Sequence, residues 1–391
     1  MGIKQIEGGI CAVEGVKAWG IKEDGKGLAL IVGSGNAVGV FTENKIKAAP
    51  LKLTKENLKS GRISSIIVNS GNANSYTGNR GMMNAKYMAK MVGDALSIDP
   101  ESVAVASTGI IGKQLDITLI EKQFKEVLPK LEKTPVASDA SAKAIMTTDN
   151  MKKEVAIELD NVHIGAIAKG SGMIEPKMGT MLAFIYTDAK IDTDTMKRCL
   201  KSAVDKSFNM VVVDGDTSTN DMALLVATGR NGEIEESIFQ KGLDFVCTRL
   251  ARMIAKDGEG ATKLITSRVT GAKSEEDARN VAKAIVRSNL VKCAIYGEDA
   301  NWGRVICAIG NASADIDPNK IYLRIGNGEE LIGFVEGGTI IEMRSPETIK
   351  RVMKGKTILI GVDLGIGKSS AVAWGCDMTD EYVRINAKYS T

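Results

Sequence analysis

The sequence predicts a mixed α/β protein of at least two domains, and three observations lead there. Short runs with period-two alternation read as strands, apolar stripes at helical spacing stand between them, and the strands often end in loops rich in Gly, Asn and Thr. At 391 residues, 44% hydrophobic and 25% charged, the chain can bury at least one large core and has room for more than one domain.

From the N-terminus, GLALIVGSGNAVGVFTEN (27–44) alternates like strands broken by Gly-Ser-Gly-Asn, and SSIIVNSGNANSYTG (64–78) is a strand that empties into a Gly/Asn loop. AKYMAKMVGDAL (85–96) has helical periodicity, SVAVAS (102–107) is a short β-rich run before the loop TGIIGK, and LIEKQFKEVLPKLEK (119–133) is an amphipathic helix. In EVAIELDNVHIGAIAK (154–169), Val155, Ile157 and Leu159 alternate, Asp160-Asn161 makes a turn, and Val162, Ile164 and Ala166 alternate again, so a hairpin is expected. The loop KGSGMIEPKMG runs into TMLAFIYTDA, a strand starting at Thr180 or one residue later. Met196, Cys199, Leu200, Ala203 and Val204 mark a helix with Thr193 or Asp194 as its N-cap, and NMVVVDGDTSTND (209–221) is a strand emptying into an acidic, hydroxyl-rich turn. A long helix runs from about Ile234 to Lys256. Ser274 with Asp277 resembles a capping box, and the Gly-Ala-Lys stretch at 271–273 before it is the expected boundary between a core of residues 1–270 and a C-terminal domain of residues 271–391.

The 51 basic and 48 acidic residues are interspersed, giving a net charge of +3 with no separate basic face, and aromatic residues are only 4% of the chain. Both facts argue against nucleic acid as a partner. No apolar run approaches the roughly 20 residues of a membrane helix. The six cysteines are scattered without a C-x-x-C pair or Cys/His cluster, which excludes a zinc site of that type and suggests a reducing cytoplasm.

His163 is the one histidine in the chain, and its strand position turns it away from the apolar face, so it is expected to be a surface side chain. An enzyme here needs another general base. GVDLGIGKSS (361–370) imitates a phosphate-binding loop, but the first glycine of that motif is replaced by Val362. GEDANWGR (297–304) lacks the alternating oxygen ligands of an EF-hand and reads as a structural turn over Trp302.

Thr180 offers different chemistry. In an intact chain its hydroxyl is unactivated, but a threonine made N-terminal carries its own base, an α-amino group with an ordinary pKa of about 7.7–8.0. Gly179 before it suits a cut, because a residue without Cβ tolerates the strained backbone that self-attack needs. Ser107-Thr108-Gly109 offers a hydroxyl and an unobstructed N–H as donors to an oxyanion.

The loops, taken in order, resemble the glutamate N-acetyltransferase family, also called ornithine acetyltransferase, of arginine biosynthesis. The matching stretches are GVFTEN (39–44), VNSGNAN (68–74), STGIIG (107–112), IMTTD (145–149), AKGSGMI-P-M-TML (168–182), VDGDTSTND (213–221), KDGEGATK (256–263), GEDANWGR (297–304) and YVRINAKYST (382–391). The resemblance implies self-cleavage between Gly179 and Thr180 into an α chain of residues 1–179 and a β chain of 391 − 179 = 212 residues. It makes Thr180 the nucleophile and Thr108 with Gly109 the oxyanion hole. It puts substrate binding on Thr147, Lys169, Thr180, Glu259, Asn386 and Thr391, where Lys169 suits a carboxylate and Glu259 an ornithine ammonium.

The implied reaction moves an acetyl group from N-acetyl-L-ornithine to L-glutamate by a ping-pong route through a threonine ester, with no metal or organic cofactor. Some members of the family also take acetyl-CoA, and no residue assigns this chain to either group. The implied fold is a layered α/β/β/α core built from both chains with a smaller C-terminal α/β domain, assembled as an α2β2 particle. The alternative is a related self-processed aminopeptidase or amidase that hydrolyses its acyl-enzyme. Departures from the family pattern are Gly179 for the usual Ala, Ser75-Tyr76 after NSGNAN, the missing proline after IMTTDN, and a weak match over residues 1–27.

Overall fold

The computed structural model describes residues 2–175, 181–341 and 345–388. In chain order it begins with β1 (Lys4–Ile6), β2 (Lys17–Glu23), β3 (Lys26–Phe41), α1 (Ala49–Asn57), β4 (Arg62–Asn72), α2 (Gly78–Leu96), β5 (Val103–Ile110), α3 (Ile117–Val127) and α4 (Pro135–Ala144). The middle of the chain forms β6 (Lys153–Leu159), β7 (Val162–Lys169), β8 (Leu182–Thr187), α5 (Thr193–Lys206), β9 (Val211–Val212), β10 (Met222–Ala227) and α6 (Glu236–Lys256). The rest gives β11 (Leu264–Ala272), α7 (Glu275–Arg287), α8 (Asn289–Tyr296), α9 (Trp302–Gly310), β12 (Tyr322–Gly326), β13 (Leu331–Glu336), β14 (Thr339–Ile340), α10 (Pro346–Met353), β15 (Thr357–Asp363), β16 (Ser369–Cys376) and α11 (Asp380–Lys388).

Local chemistry sets many of these bounds. The β6–β7 hairpin closes through Asp160 and Asn161, both at positive φ, which fits the right-handed twist of the flanking strands. Ser274 caps α7 by accepting from the Asp277 amide while its hydroxyl donates to the Asp277 carboxylate. The α5 cap is Asp192, one residue before the expected Thr193, because its carboxylate takes the amides of Asp194 and Thr195. The helix expected over 119–133 ends at Val127, since Pro129 has no N–H to continue it. GVDLGIGKSS forms the end of β15, a turn and the start of β16, with no helix to follow it. In GEDANWGR, Asn301 caps α9 and Trp302 packs half-buried against the core.

The expected break at Gly-Ser-Gly-Asn is a bulge within one strand of 16 residues. β3 pairs with β2 up to Val32 and with β4 as far as Asn36 across a register shift between Val32 and Gly35, and pairs with β10 from Asn36 onward. This strand joins a nine-stranded sheet in the order β1-β6-β7-β8-β10-β3-β4-β5, with β2 also on β3.

Side-chain alternation then divides the sheet into layers. Ala29, Ile31, Ile66, Val68, Ala104 and Ala106 share one buried cluster with Ile167, Leu182, Phe184, Tyr186, Leu224 and Val226, so the two halves face each other. The opposite face of the first half, Leu28, Leu30, Ile67 and Val105, packs on Met88 and Val92 of α2 and Ile120 and Phe124 of α3. The opposite face of the second half, Ile164, Ala183, Ile185 and Leu225, packs on Leu200 of α5 and Leu243, Val246 and Leu250 of α6. The result is the layered α/β/β/α core. Each buried Val, Leu, Ile, Phe or Met among them contributes about 1.5–3 kcal/mol of transfer free energy.

A second sheet of seven strands, β14-β13-β12-β15-β11-β16-β9, carries α7 against β11 and β16. The 271–273 stretch closes β11. None of the described helices is long and apolar enough to cross a membrane.

His163 differs from the expected surface residue. Its Nδ1 lies 2.7 Å from the buried Asp188 carboxylate, which also accepts the His163 amide. Asp188 therefore joins β7 to the end of β8 through that ring.

Candidate active site

One cavity, of about 110 Å³, lies where the ends of the two β layers meet the loop after α6 and the last helix. Thr108 and Gly109 reach it from the end of β5, in register with Ser70 and Gly71 of the parallel strand β4. Gly109 has φ +131°, and a Cβ there would overlap the Gly71 backbone, so only glycine fits this crossing point. Asn220 fixes the neighbourhood: its side-chain amide donates to the carbonyls of Ala73 (2.6 Å) and Ser107 (2.8 Å).

Lys169 ends β7 directly opposite Leu182, the first residue of β8. Its ammonium is almost wholly buried and donates to the Thr147 hydroxyl at 2.7 Å. Behind the pair stands Asp149. Its carboxylate accepts the Thr147 and Gly170 amides and the Lys153 ammonium (2.7 Å), and lies 3.7 Å from Lys169. Burial would raise the Asp149 pKa, but the Lys169 and Lys153 cations with those donors overcome it and hold the carboxyl well below its usual range. Lys153 is itself fully buried and reaches Asp257 at 2.6 Å on its other side. Asp257 in turn accepts the amides of Asn150 and Met151.

Two residues after Asp257, Glu259 turns into the cavity. Its amide donates to the Ser171 carbonyl, its carboxylate accepts from Asn386 of α11 at 2.8 Å, and it lies so close to Gly172 that a Cβ there would overlap it. The site thus holds a cation, an anion and several hydroxyl and amide donors within one small space. It can orient a zwitterionic molecule by both of its charges.

Of the residues named from sequence, Thr108, Gly109, Thr147, Lys169, Glu259 and Asn386 all line this cavity, with Met181 and Leu182 beside them. Gly179, Thr180 and Thr391 lie outside the described residues. Sequence reading did not name Asp149, Lys153, Asp257 or Asn220 individually. Three of them sit inside motifs it quoted, IMTTD, KDGEGATK and VDGDTSTND, while Lys153 carries no local signal, since nothing nearby in sequence announces a buried lysine. Among the described residues, no group of three or more His, Cys, Asp or Glu side chains could hold a metal ion.

The chain is similar to known proteins over nearly its whole length. The family model described as the ArgJ family matches residues 13–391. A glutamate N-acetyltransferase from Methanosarcina mazei is 54% identical over 396 aligned positions, covering 100% of both chains. The arginine biosynthesis bifunctional protein ArgJ 1 from Clostridium acetobutylicum is 45% identical over 95% of this chain and 94% of its own. Among solved structures, a chain of the arginine biosynthesis bifunctional protein from Bacillus halodurans superposes with a TM-score of 0.50 at 43% identity, covering 98% of that chain and 53% of this one. With the family pattern met over nearly its whole length, the chain belongs to the ArgJ family, a family of acyltransferases.

Proposed function

We propose that the chain transfers the acetyl group of N-acetyl-L-ornithine to L-glutamate in arginine biosynthesis, through an ester on Thr180. The observation that carries this reading is the meeting of Thr108, Gly109, Lys169 and Glu259 around one cavity, beside the residues that follow Thr180. The names of the M. mazei and C. acetobutylicum relatives support it.

The Thr180 hydroxyl first adds to the Gly179 carbonyl. The C–N bond breaks as the nitrogen takes the proton, and water then hydrolyses the resulting ester, leaving a Gly179 carboxylate and a free Thr180 amine. The length of the matched B. halodurans chain supports such a division: 53% of 391 is about 207 residues, close to the 212 from Thr180 to Thr391.

In the mature site the α-amino group takes the Thr180 hydroxyl proton as the oxygen attacks the acetyl carbonyl. The Thr108 hydroxyl and the Gly109 N–H stabilise the tetrahedral oxyanion. Lys169, held by Thr147, binds the substrate carboxylate, and Glu259 with Asn386 binds the ornithine side chain. The family resemblance adds Thr391 to the substrate-binding residues. Ornithine leaves with the proton, glutamate enters, and its amine accepts the acetyl group in the reverse sequence. The α and β chains remain paired as an α2β2 particle.

The test is Thr180→Ala, read by intact mass and by acetyl transfer with and without glutamate. The expected product is one unsplit 391-residue chain that transfers nothing. Splitting at the same bond with retained transfer overturns the reading, and acetate release independent of glutamate would instead make the protein a hydrolase. A parallel assay with acetyl-CoA as sole donor reads the second donor.

A further inference from the structure

The segment just before the cleavage loop is held by a set of bonds that substrate binding does not explain. Asp214, in the turn after β9, accepts the Met173 amide on one carboxylate oxygen (2.6 Å) and the Ile174 amide on the other (2.7 Å). The same turn continues the grip. Val213 N–H donates to the Ile174 carbonyl (2.7 Å), the Glu175 N–H to the Asp216 carbonyl (2.8 Å), and the Thr217 hydroxyl to the Glu175 carbonyl (2.8 Å). Glu175 is further tied through its carboxylate to Arg287 of α7 at 2.9 Å.

Within this grip Met173 sits at φ +56°, a conformation a side chain of its kind adopts only when its surroundings impose it. Downstream of the loop, Met181 is fixed as well, its carbonyl accepting the Met222 amide at 3.1 Å just before β8 begins. Only the five residues Pro176–Thr180 separate the two fixed points.

From this geometry we infer that Asp214 is a positioning residue for the self-cleavage of the chain, an inference that rests on the cleavage set out above. Thr180 must bring its hydroxyl to the carbonyl carbon of the residue before it, while the departing nitrogen receives the hydroxyl proton. That intramolecular attack is fast only when the loop ends are held in a near-attack arrangement, and small displacements cost rate steeply. A carboxylate suits the task because its two oxygens accept two successive N–H groups at once, which a neutral amide cannot do. Asp214 acts through the Met173 and Ile174 amides. It sets the entry of the loop that carries the reacting atoms.

The experiment follows the split of nascent full-length chains during cell-free synthesis, by intact mass, for the wild type, Asp214→Asn, Asp214→Glu and Thr180→Ala. The wild type splits and Thr180→Ala does not. Asp214→Asn is expected to split about tenfold more slowly or worse, with a melting temperature close to that of Thr180→Ala. Asp214→Glu, which keeps both acceptor oxygens, recovers most of the rate. Asp214→Asn splitting within about twofold of wild type overturns the inference, and so does an Asp214→Glu chain as slow as Asp214→Asn. If Asp214→Asn does not fold, Thr217→Val replaces it. That variant removes one bond to Glu175 and is expected to be about threefold slow, an unchanged rate counting against the inference. A wild-type chain that never splits fails the cleavage reading itself, whereas a wild type that splits beside an equally fast Asp214→Asn fails only the grip.

Discussion

Asn386, near the end of the chain, donates its side-chain amide to the Glu259 carboxylate at 2.8 Å, across 127 positions of sequence. The last helix thereby contributes to a site whose other members come from both β layers. It is held there by Gly260, whose φ of +70° and lack of a Cβ let the α11 backbone approach within a side chain's width.

Gly172→Ala places a Cβ where the Glu259 carboxylate now lies, so the acid must move. Steady-state kinetics should show KM for N-acetylornithine raised about tenfold, about 1.4 kcal/mol, with little loss of melting temperature. Asn386→Ala removes one partly exposed hydrogen bond and should raise KM about threefold, in keeping with about 0.5–1.5 kcal/mol for such a bond. If neither variant changes KM, Glu259 does not hold the ornithine side chain.

Lys153→Met leaves Asp149 and Asp257 buried and facing each other without the cation between them. Removing one partner of a buried ion pair costs about 3–5 kcal/mol; here Asp257 loses its cation and Asp149 keeps only Lys169, 3.7 Å away. Urea denaturation should show a loss of at least that size. The surface pair of Lys90 and Asp94 is the control, and Lys90→Met should cost under about 1 kcal/mol.

Acid should uncouple the same network. The Asp149 carboxyl titrates in the folded protein well below its ordinary value of 3.8, so its ionised form adds stability above that value. That contribution is complete near neutral pH and disappears as pH falls below about 4 toward the folded pKa. Thermal melts from pH 7 to pH 2 should therefore steepen in that window. Asp149→Asn should be less stable at pH 7 yet show a shallower acid limb, and an unchanged acid limb would mean that the network carries no such linkage.

Much of the fold was legible because its signals are local. Asp160-Asn161 between two alternating runs announces its hairpin, and Ser274 with Asp277 announces the start of α7, since turn and cap chemistry act over three or four residues. β3 was not read as one strand because a bulge and a break share the same Gly-rich sequence, and only the partner β10 distinguishes them. α4 escaped notice for a different reason. Its buried face is Ala137, Ser138, Ser141 and Ala142, small residues whose burial depends on what they meet.

The site divides in the same way. Thr108, Lys169 and Glu259 stand in recognisable motifs. That these motifs converge is a property of the layered core, and the charge balance among Asp149, Lys153 and Asp257 is set by neighbours 104 residues apart. His163 shows the limit from the other side: its alternation correctly turned it from the apolar face, but Asp188, which covers it, follows a different strand.

The pairing of Lys169 with Leu182 also bears on what scission can accomplish. These residues open and close one excursion between adjacent strands of a single sheet, so a break within it falls between neighbours that remain laced together by β7, β8 and the shared interior beneath them. Each fragment would expose a raw strand edge if parted from the other. If the chain is cut as proposed, the two polypeptides should therefore melt as one cooperative body and resist separation by dilution or salt. The proposed cut would create a new carboxylate and a new amine while leaving the architecture whole.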